Sequence, residues 1–424
     1  MHIGDGDYDF VLVGAGAAGC TLAYRLSEDR STTVLLVEAG PHDVDPLIHI
    51  PKGVAKVMAN PKQIWVYPSA PQPSNANSTE YWLRGRVLGG SSSTNGMMYV
   101  RGQPADFDAI AQTTSDDWSW TNIAAAYKAL ESHELGPAET RGDKGPLKLT
   151  LPNQRDSLTE AMIAAGQSLG WVTKEDVNAP DDIEGLGYAP RTIHKGRRQS
   201  AAVAFLHPIR KRPNLKILVN AITDKVIFDD AKTAIAVEVL CDGRRQLVRG
   251  KEIVLCGGAL SSPGILERSG VGDPERLSKL GIPLIHPNPN VGENLIEHRC
   301  ITMQWKLTRN ISHNKKHYGL GLLFSILQYC VARSGPMSAG AYEQIGWFKT
   351  KPGLARPDAQ FLFAPFSLDM GKMRRDVERR PGMHINGYQL RPTSRGRIHV
   401  TSPDPNAAPE LVSNYHGTEL TVTR

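Results

Sequence analysis

Two stretches of this sequence have the residue types and spacing to hold a phosphate-bearing cofactor. The first is Gly14-Ala15-Gly16-Ala17-Ala18-Gly19, a G-x-G-x-x-G, with Glu38 nineteen positions after its last glycine. Gly14 permits a tight strand-to-helix turn, Gly16 lets the chain approach a pyrophosphate, and Gly19 lets helix and strand pack closely. The helix start offers unpaired N–H groups to the anion. A carboxylate at Glu38 can accept hydrogen bonds from ribose hydroxyls and repels a 2′-phosphate. This fingerprint leaves FAD and NAD both open. The second stretch is Gly85-Arg86-Val87-Leu88-Gly89-Gly90-Ser91-Ser92-Ser93-Thr94-Asn95-Gly96-Met97-Met98. Two glycines followed by three serines make a loop that exposes backbone to phosphates or to a ring edge.

The elements that must position these loops are legible around them. Phe10 to Val13 is an apolar, β-branched run ending in Gly14, and Ala17, Ala18, Leu22 and Leu26 recur at helical spacing. Thr33 to Val37 is a second buried strand, so the opening reads as a right-handed parallel βαβ unit. Residues 41 to 80 lack periodicity and are rich in Pro, Asn and Ser, which suggests a functional cover. Helices are expected over 118–135 and 156–169. Strands are expected over Lys216–Ala221, Lys225–Phe228, Ile235–Leu240 and Glu252–Cys256, with turns at Asp229-Asp230 and Asp242-Gly243. A helix with Pro263 near its start follows the last of these, so the parallel-sheet domain is interrupted and resumed.

Composition bounds the rest. The chain has 424 residues, enough for two or three domains, and 40 Gly plus 29 Pro exclude a coiled coil or a plain helical bundle. Net charge is +6, with basic clusters at Lys195-Gly196-Arg197-Arg198, Arg210-Lys211-Arg212 and Lys372 to Arg380. No recognition helix, zinc finger or stacked-aromatic pattern accompanies them, so they read as solvated surface and no nucleic-acid partner is expected. The five cysteines include no C-x-x-C pair, no metal-ligand spacing occurs, and no signal peptide opens the chain. A cytoplasmic location is the expectation. Tyr318 to Ala332 is apolar but too short to span a bilayer. It reads as a buried or half-buried helix, with peripheral membrane contact the lesser alternative.

At the second loop the sequence resembles the glucose–methanol–choline (GMC) family of FAD-dependent oxidoreductases, on its choline dehydrogenase-like side. Gly85 to Asn95 matches the first family signature, with Thr94 where an aliphatic residue is usual, and Gly258 to Gly272 matches the second throughout. Asn290 to His298 and Arg395 to Tyr415 look like further family segments, so the resemblance runs from about Asp7 to Tyr415. It implies an α/β fold: a Rossmann-like FAD-binding domain, discontinuous over 1–150 and 195–300, and a substrate domain with an antiparallel sheet over 151–194 and 301–424. It also implies that Gly14, Gly16, Ala17, Ala18 and Gly19 hold the pyrophosphate and that Glu38 and Ala39 hold the adenosine. Val87, Gly89, Gly90 and Ser91 would line the phosphates. Asn95, Gly96, Met97 and Met98 would reach the flavin, and Val226 the adenine side. Members that attach FAD covalently do so through a His in the loop of Thr94-Asn95; none stands there, so non-covalent FAD is expected.

The implied reaction is oxidation of a small alcohol by hydride transfer to flavin N5, with oxygen or a quinone as final acceptor. The family's proton-accepting His lies in a late H-P-x-G-T segment, followed by an N-x-x-P-T segment; neither occurs in these 424 residues. His416-Gly417-Thr418 lacks the proline and sits just after Asn414-Tyr415, which places it upstream of that segment. His298 belongs to a family loop motif and reads as structural. No catalytic residue is therefore assigned, and a C-terminally truncated member is expected. A catalytically inactive flavin-binding fragment is the alternative, and a nicotinamide-dependent dehydrogenase the less favoured one.

Overall fold

The computed structural model describes residues 7–152, 155–370 and 376–418. Lys372 to Arg375 of the basic run and the whole of Thr421 to Arg424 lie outside them.

The opening unit forms as the apolar runs require. Tyr8–Val13 is a strand whose Val11 and Leu12 are wholly buried, Ala17–Leu26 is a helix, and Val34–Val37 is buried along its length. Tyr8–Val13 pairs in parallel with Val34–Val37 on one side and with Arg244–Leu255 on the other. The sheet runs Leu215–Leu218, Val34–Val37, Tyr8–Val13, Arg244–Leu255, Ala234–Cys241, Ala221–Phe228. Its first four strands are parallel, and its last three form an antiparallel meander. The strand expected over Lys216–Ala221 is in fact two, broken where Asn220 turns to φ 55°. The interface of the Ala17 helix with the sheet is closed by Ala202, Phe205 and Leu206.

A second six-stranded sheet runs Ile301–Lys306, Gly382–Gln389, Ala359–Ala364, Gln344–Phe348, Gly185–Tyr188, Val172–Thr173, antiparallel except for its last pair. The molecule is thus mixed α/β, with one sheet that is parallel over its first four strands and one largely antiparallel sheet. The second sheet has two unlike faces. Phe361, Phe363 and Leu186 lie on one and pack with Leu158 and Ile163 of the helix Ser157–Ser168, which Asp156 caps. Alternation then puts Gln360, His384, Asn386 and Tyr388 on the other face.

Three expectations are corrected. Residues 41–80 are ordered as short pieces: helical turns at Pro46–His49, Pro51–Gly53 and Val54–Val57, and a strand Ile64–Pro68 paired with Tyr81–Gly85. Pieces of three to five residues are too short to show a period. The helix near 118–135 covers only Trp120–Leu130, and Glu131–His133 becomes a strand because Glu131 is drawn into a buried ion pair with Arg101. The helix Gly319–Ala332 is not buried: Ser325 is its one buried residue. No helix among the described residues is long and apolar enough to cross a membrane.

Candidate functional site

The two glycine loops meet. The amide of Gly89 donates to the carbonyl of Ala15 at 2.8 Å. At Gly90, which has φ 52°, a Cβ would stand 2.7 Å from the Cα of Gly16, so only glycine lets the loops touch. Gly14 turns at φ 102° with no space beside the carbonyl of Cys256. Gly16 differs: nothing lies within 4 Å of the position its Cβ would take. It caps the helix Ala17–Leu26, which has no side-chain cap and no acidic residue in its first turn. Ala17 and Ala18 are exposed there, across from exposed Ser91 and Asn95. An uncapped helix start, a glycine facing open space and flanking small residues form a cradle for a pyrophosphate. These residues fit FAD.

Glu38 is buried at the end of its strand. Its two oxygens accept from the amides of Ala15 and Gly40, each at 2.9 Å. Burial pushes its pKa up to about 7, with these amides pulling the other way. The carboxylate therefore braces the first glycine turn. Ala39 is half-buried beside it.

The three serines are used unequally. Ser92 and Ser93 donate to the carbonyls of Gly89 and Leu88, closing the loop into a turn over Gly90–Ser93. Only Ser91 is exposed. The Val87 side chain is buried with Ile48 and Val57, so its backbone alone can line the site. Asn95 folds back, its side-chain oxygen accepting from the amide of Met97 at 3.0 Å, and Met97 sits at φ 63°. Met98 packs against the buried cluster of Val177, Ala189, Ile345 and Trp347 beside the second sheet. The Val226 side chain lies in the core beside Val37, and its amide donates to Ser269 Oγ at 2.8 Å, so neither is turned to the cleft.

One residue that sequence reasoning placed on the solvated surface belongs here. Arg198 is wholly buried. Its guanidinium donates to the carbonyls of Ile48, Ser92 and Asn95 and to Asn95 Oδ1, at 2.8 to 3.1 Å. It has no ion pair among the described residues, and burial draws its pKa down to about 10, so it keeps its charge at neutral pH. Its neighbours Lys195 and Arg197 are exposed, and nothing in the basic run Lys195 to Arg198 marks Arg198 as the buried member.

The polar face of the second sheet supplies the facing wall. Tyr388 OH donates to Gln360 Oε1 at 2.6 Å, Thr302 Oγ1 donates to Asn386 Oδ1 at 2.6 Å, and Asn386 donates to Tyr342 OH. His298 stacks on Tyr388 at 4.8 Å and its ring meets the carbonyl of Leu390. The segment before Gln344 joins this face to the cofactor loop, for the amide of Ala341 donates to the carbonyl of Gly96. Sequence reasoning left these residues out. The alternation Met383-His384-Ile385-Asn386 was their signal. A separate cluster is structural: both nitrogens of the buried His399 bond carboxylates, buried Glu267 at 2.7 Å and exposed Glu293 at 2.9 Å, which raises the histidine's pKa. Its Glu267 also accepts the amide of Val400, tying the second signature helix to the later chain. Among the described residues no cluster of His, Cys, Asp and Glu has metal-binding geometry.

Known proteins resemble this arrangement in sequence and in fold. The family model described as GMC oxidoreductase matches residues 8–300. The mitochondrial choline dehydrogenase of Mus musculus is 34% identical, over 99% of this chain and 71% of its own length. The oxygen-dependent choline dehydrogenase of Pseudomonas syringae pv. tomato is 35% identical, over 96% of this chain and 73% of its own. Pyridoxine 4-oxidase from Mesorbium loti superposes with a TM-score of 0.87 at 28% identity, covering 98% of this chain and 77% of that one. Formate oxidase of Aspergillus oryzae RIB40, at 24% identity and a TM-score of 0.90, covers 100% of this chain and 79% of its own, and shows the fold alone.

Proposed function

The chain belongs to the GMC oxidoreductases, the FAD-dependent alcohol oxidoreductases, and from that premise we propose that its two glycine loops hold FAD non-covalently while the polar sheet face receives an alcohol. The observation that carries this reading is the contact of Gly90 with Gly16 above an uncapped helix start. In this reading Gly14 to Gly19 and Gly89 to Ser91 surround the pyrophosphate, and Glu38 and Ala39 meet the adenosine. Asn95 to Met98 lie against the flavin ring. FAD, when bound, supplies the hydride acceptor. The chain's own residues orient: Arg198 holds the Asn95 turn, and Gln360, Asn386 and Tyr388 present donors and acceptors to a hydroxylated substrate. No proton acceptor is assigned among these residues. Thr94 and Asn95 offer no nucleophile of the kind that attaches FAD covalently, which supports non-covalent binding. Val226 is kept as a lesser contact, through neighbouring backbone only. The five cysteines are all free, which supports a reducing compartment such as the cytoplasm.

The test is spectroscopic. The purified protein is expected to show flavin absorption in the blue and near-ultraviolet, and acid precipitation is expected to leave that flavin in the supernatant. Anaerobic addition of an alcohol series that includes choline should bleach it. A nicotinamide enzyme would show no such bands, a flavin-binding fragment would show bands that no alcohol bleaches, and a covalent flavin would stay with the precipitate.

A further inference from the structure

The helix Gly319–Ala332 is built inside out. Its inward stripe is Gly321, Ser325 and Tyr329. A Cβ at Gly321 would stand 1.9 Å from the carbonyl of Lys315, Ser325 bonds the carbonyls of Lys316 and Gly321, and Tyr329 OH donates to the carbonyl of Gly196. Its outward side is apolar: Leu320 is 73% exposed, Phe324 67% and Val331 88%, with Leu323 and Leu327 half exposed between them. A helix of a water-facing surface places its large apolar residues against the core and its polar ones outside. Here the order is reversed, and an apolar ridge along one side of a fourteen-residue helix is left in water.

The charges around the ridge say what covers it. Lys315 and Lys316 precede the helix and Arg333 follows it, with no acidic residue from 315 to 333. The turn that Tyr329 holds carries exposed Lys195 and Arg197. A cavity of about 490 Å³, lined in part by Lys195, Arg333, Arg191 and Ser334, opens at that end. Cations thus bracket an apolar ridge at both ends. A second copy docked ridge to ridge would bring these cations against their own kind. An anionic bilayer surface instead accepts both parts, with Leu and Phe entering the acyl boundary and Lys and Arg meeting phosphates.

We propose that this helix is a peripheral docking surface for anionic phospholipid membranes, lying in the plane of the interface. The protein is held on such a surface without crossing it. Co-sedimentation with vesicles tests this. The purified protein is expected to pellet with vesicles of mixed phosphatidylglycerol and phosphatidylcholine. Binding should weaken at least tenfold on phosphatidylcholine alone and fall steeply in high salt. F324E combined with L327E should abolish pelleting without lowering the melting temperature, because both side chains face outward. K315E combined with K316E should weaken it severalfold. Protein that stays in the supernatant with anionic vesicles overturns the proposal. So does an F324E/L327E variant that still pellets. A wild type that sediments as a dimer in the absence of lipid, split to monomer by F324E/L327E and indifferent to vesicles, would assign the ridge to a second copy instead.

Discussion

The cofactor cleft and the polar sheet face are built in opposite ways. The cleft is made by backbone. Gly14, Gly16, Gly89 and Gly90 bring peptide groups together, and the groups aimed at a ligand are amides. The sheet face is made by side chains on a regular ladder, where Gln360, Asn386 and Tyr388 are placed by register alone. A backbone site tolerates almost no change at its glycines. A ladder site tolerates exchange of any one side chain, because the strands pair regardless.

Four changes would break or sharpen the contrast. The largest effect is expected at Gly14, where G14A would set a Cβ 2.6 Å from the carbonyl of Cys256 in a backbone with φ 102°. Strain and clash together should cost several kcal/mol, seen as a large fall in melting temperature. Next is Glu38. Its folded pKa is raised from 4.5 to about 7, so the folded state holds a proton that the unfolded chain has released. Stability from this group is full below pH 4.5 and is lost as pH rises to 7, by on the order of 3 kcal/mol. Denaturant titrations of the ligand-free protein at pH 5 and 7 should show a loss that E38Q reduces; an equal loss in E38Q would contradict the assignment.

Arg198 comes third. R198M removes the donors to three buried carbonyls, and a loss of about 2 kcal/mol is expected. FAD retention should drop with it, since the Asn95 turn is no longer held. Tyr388 should matter least to the fold. Y388F leaves the buried Gln360 Oε1 without its donor, which should cost about 1 kcal/mol. The flavin spectrum should be unaltered while bleaching by alcohols slows. A Y388F protein that loses its flavin would place the sheet face in the cofactor site and erase the distinction between the two regions.

What the sequence disclosed follows the same division. Glycines write themselves into the sequence because no other residue fits, so Gly14 to Gly19 and Gly85 to Gly96 were legible, along with the strands that carry them. Arg198 was not legible. Sequence shows a cation in a basic cluster, and only tertiary structure shows that Arg197 points to water while Arg198 points under the loop. The use of Ser92 and Ser93 was not legible either, as their hydroxyls are spent on their own loop. The sheet face went unseen because single polar residues on alternate positions resemble any half-buried strand. The Gly319 helix was misjudged because apolar composition predicts burial, whereas the inward stripe is set by Gly321 and Ser325.

The central claim is that FAD sits on backbone at Gly16. The direct measurement is a fluorescence titration of flavin-stripped protein with FAD, wild type against G16A. A Cβ at Gly16 meets no protein atom within 4 Å, so G16A should fold with a melting temperature close to wild type. It should nevertheless bind FAD at least tenfold more weakly, because that Cβ occupies the pyrophosphate's place. Equal affinity in the two proteins, or no quenching of added FAD by wild type, would contradict the account.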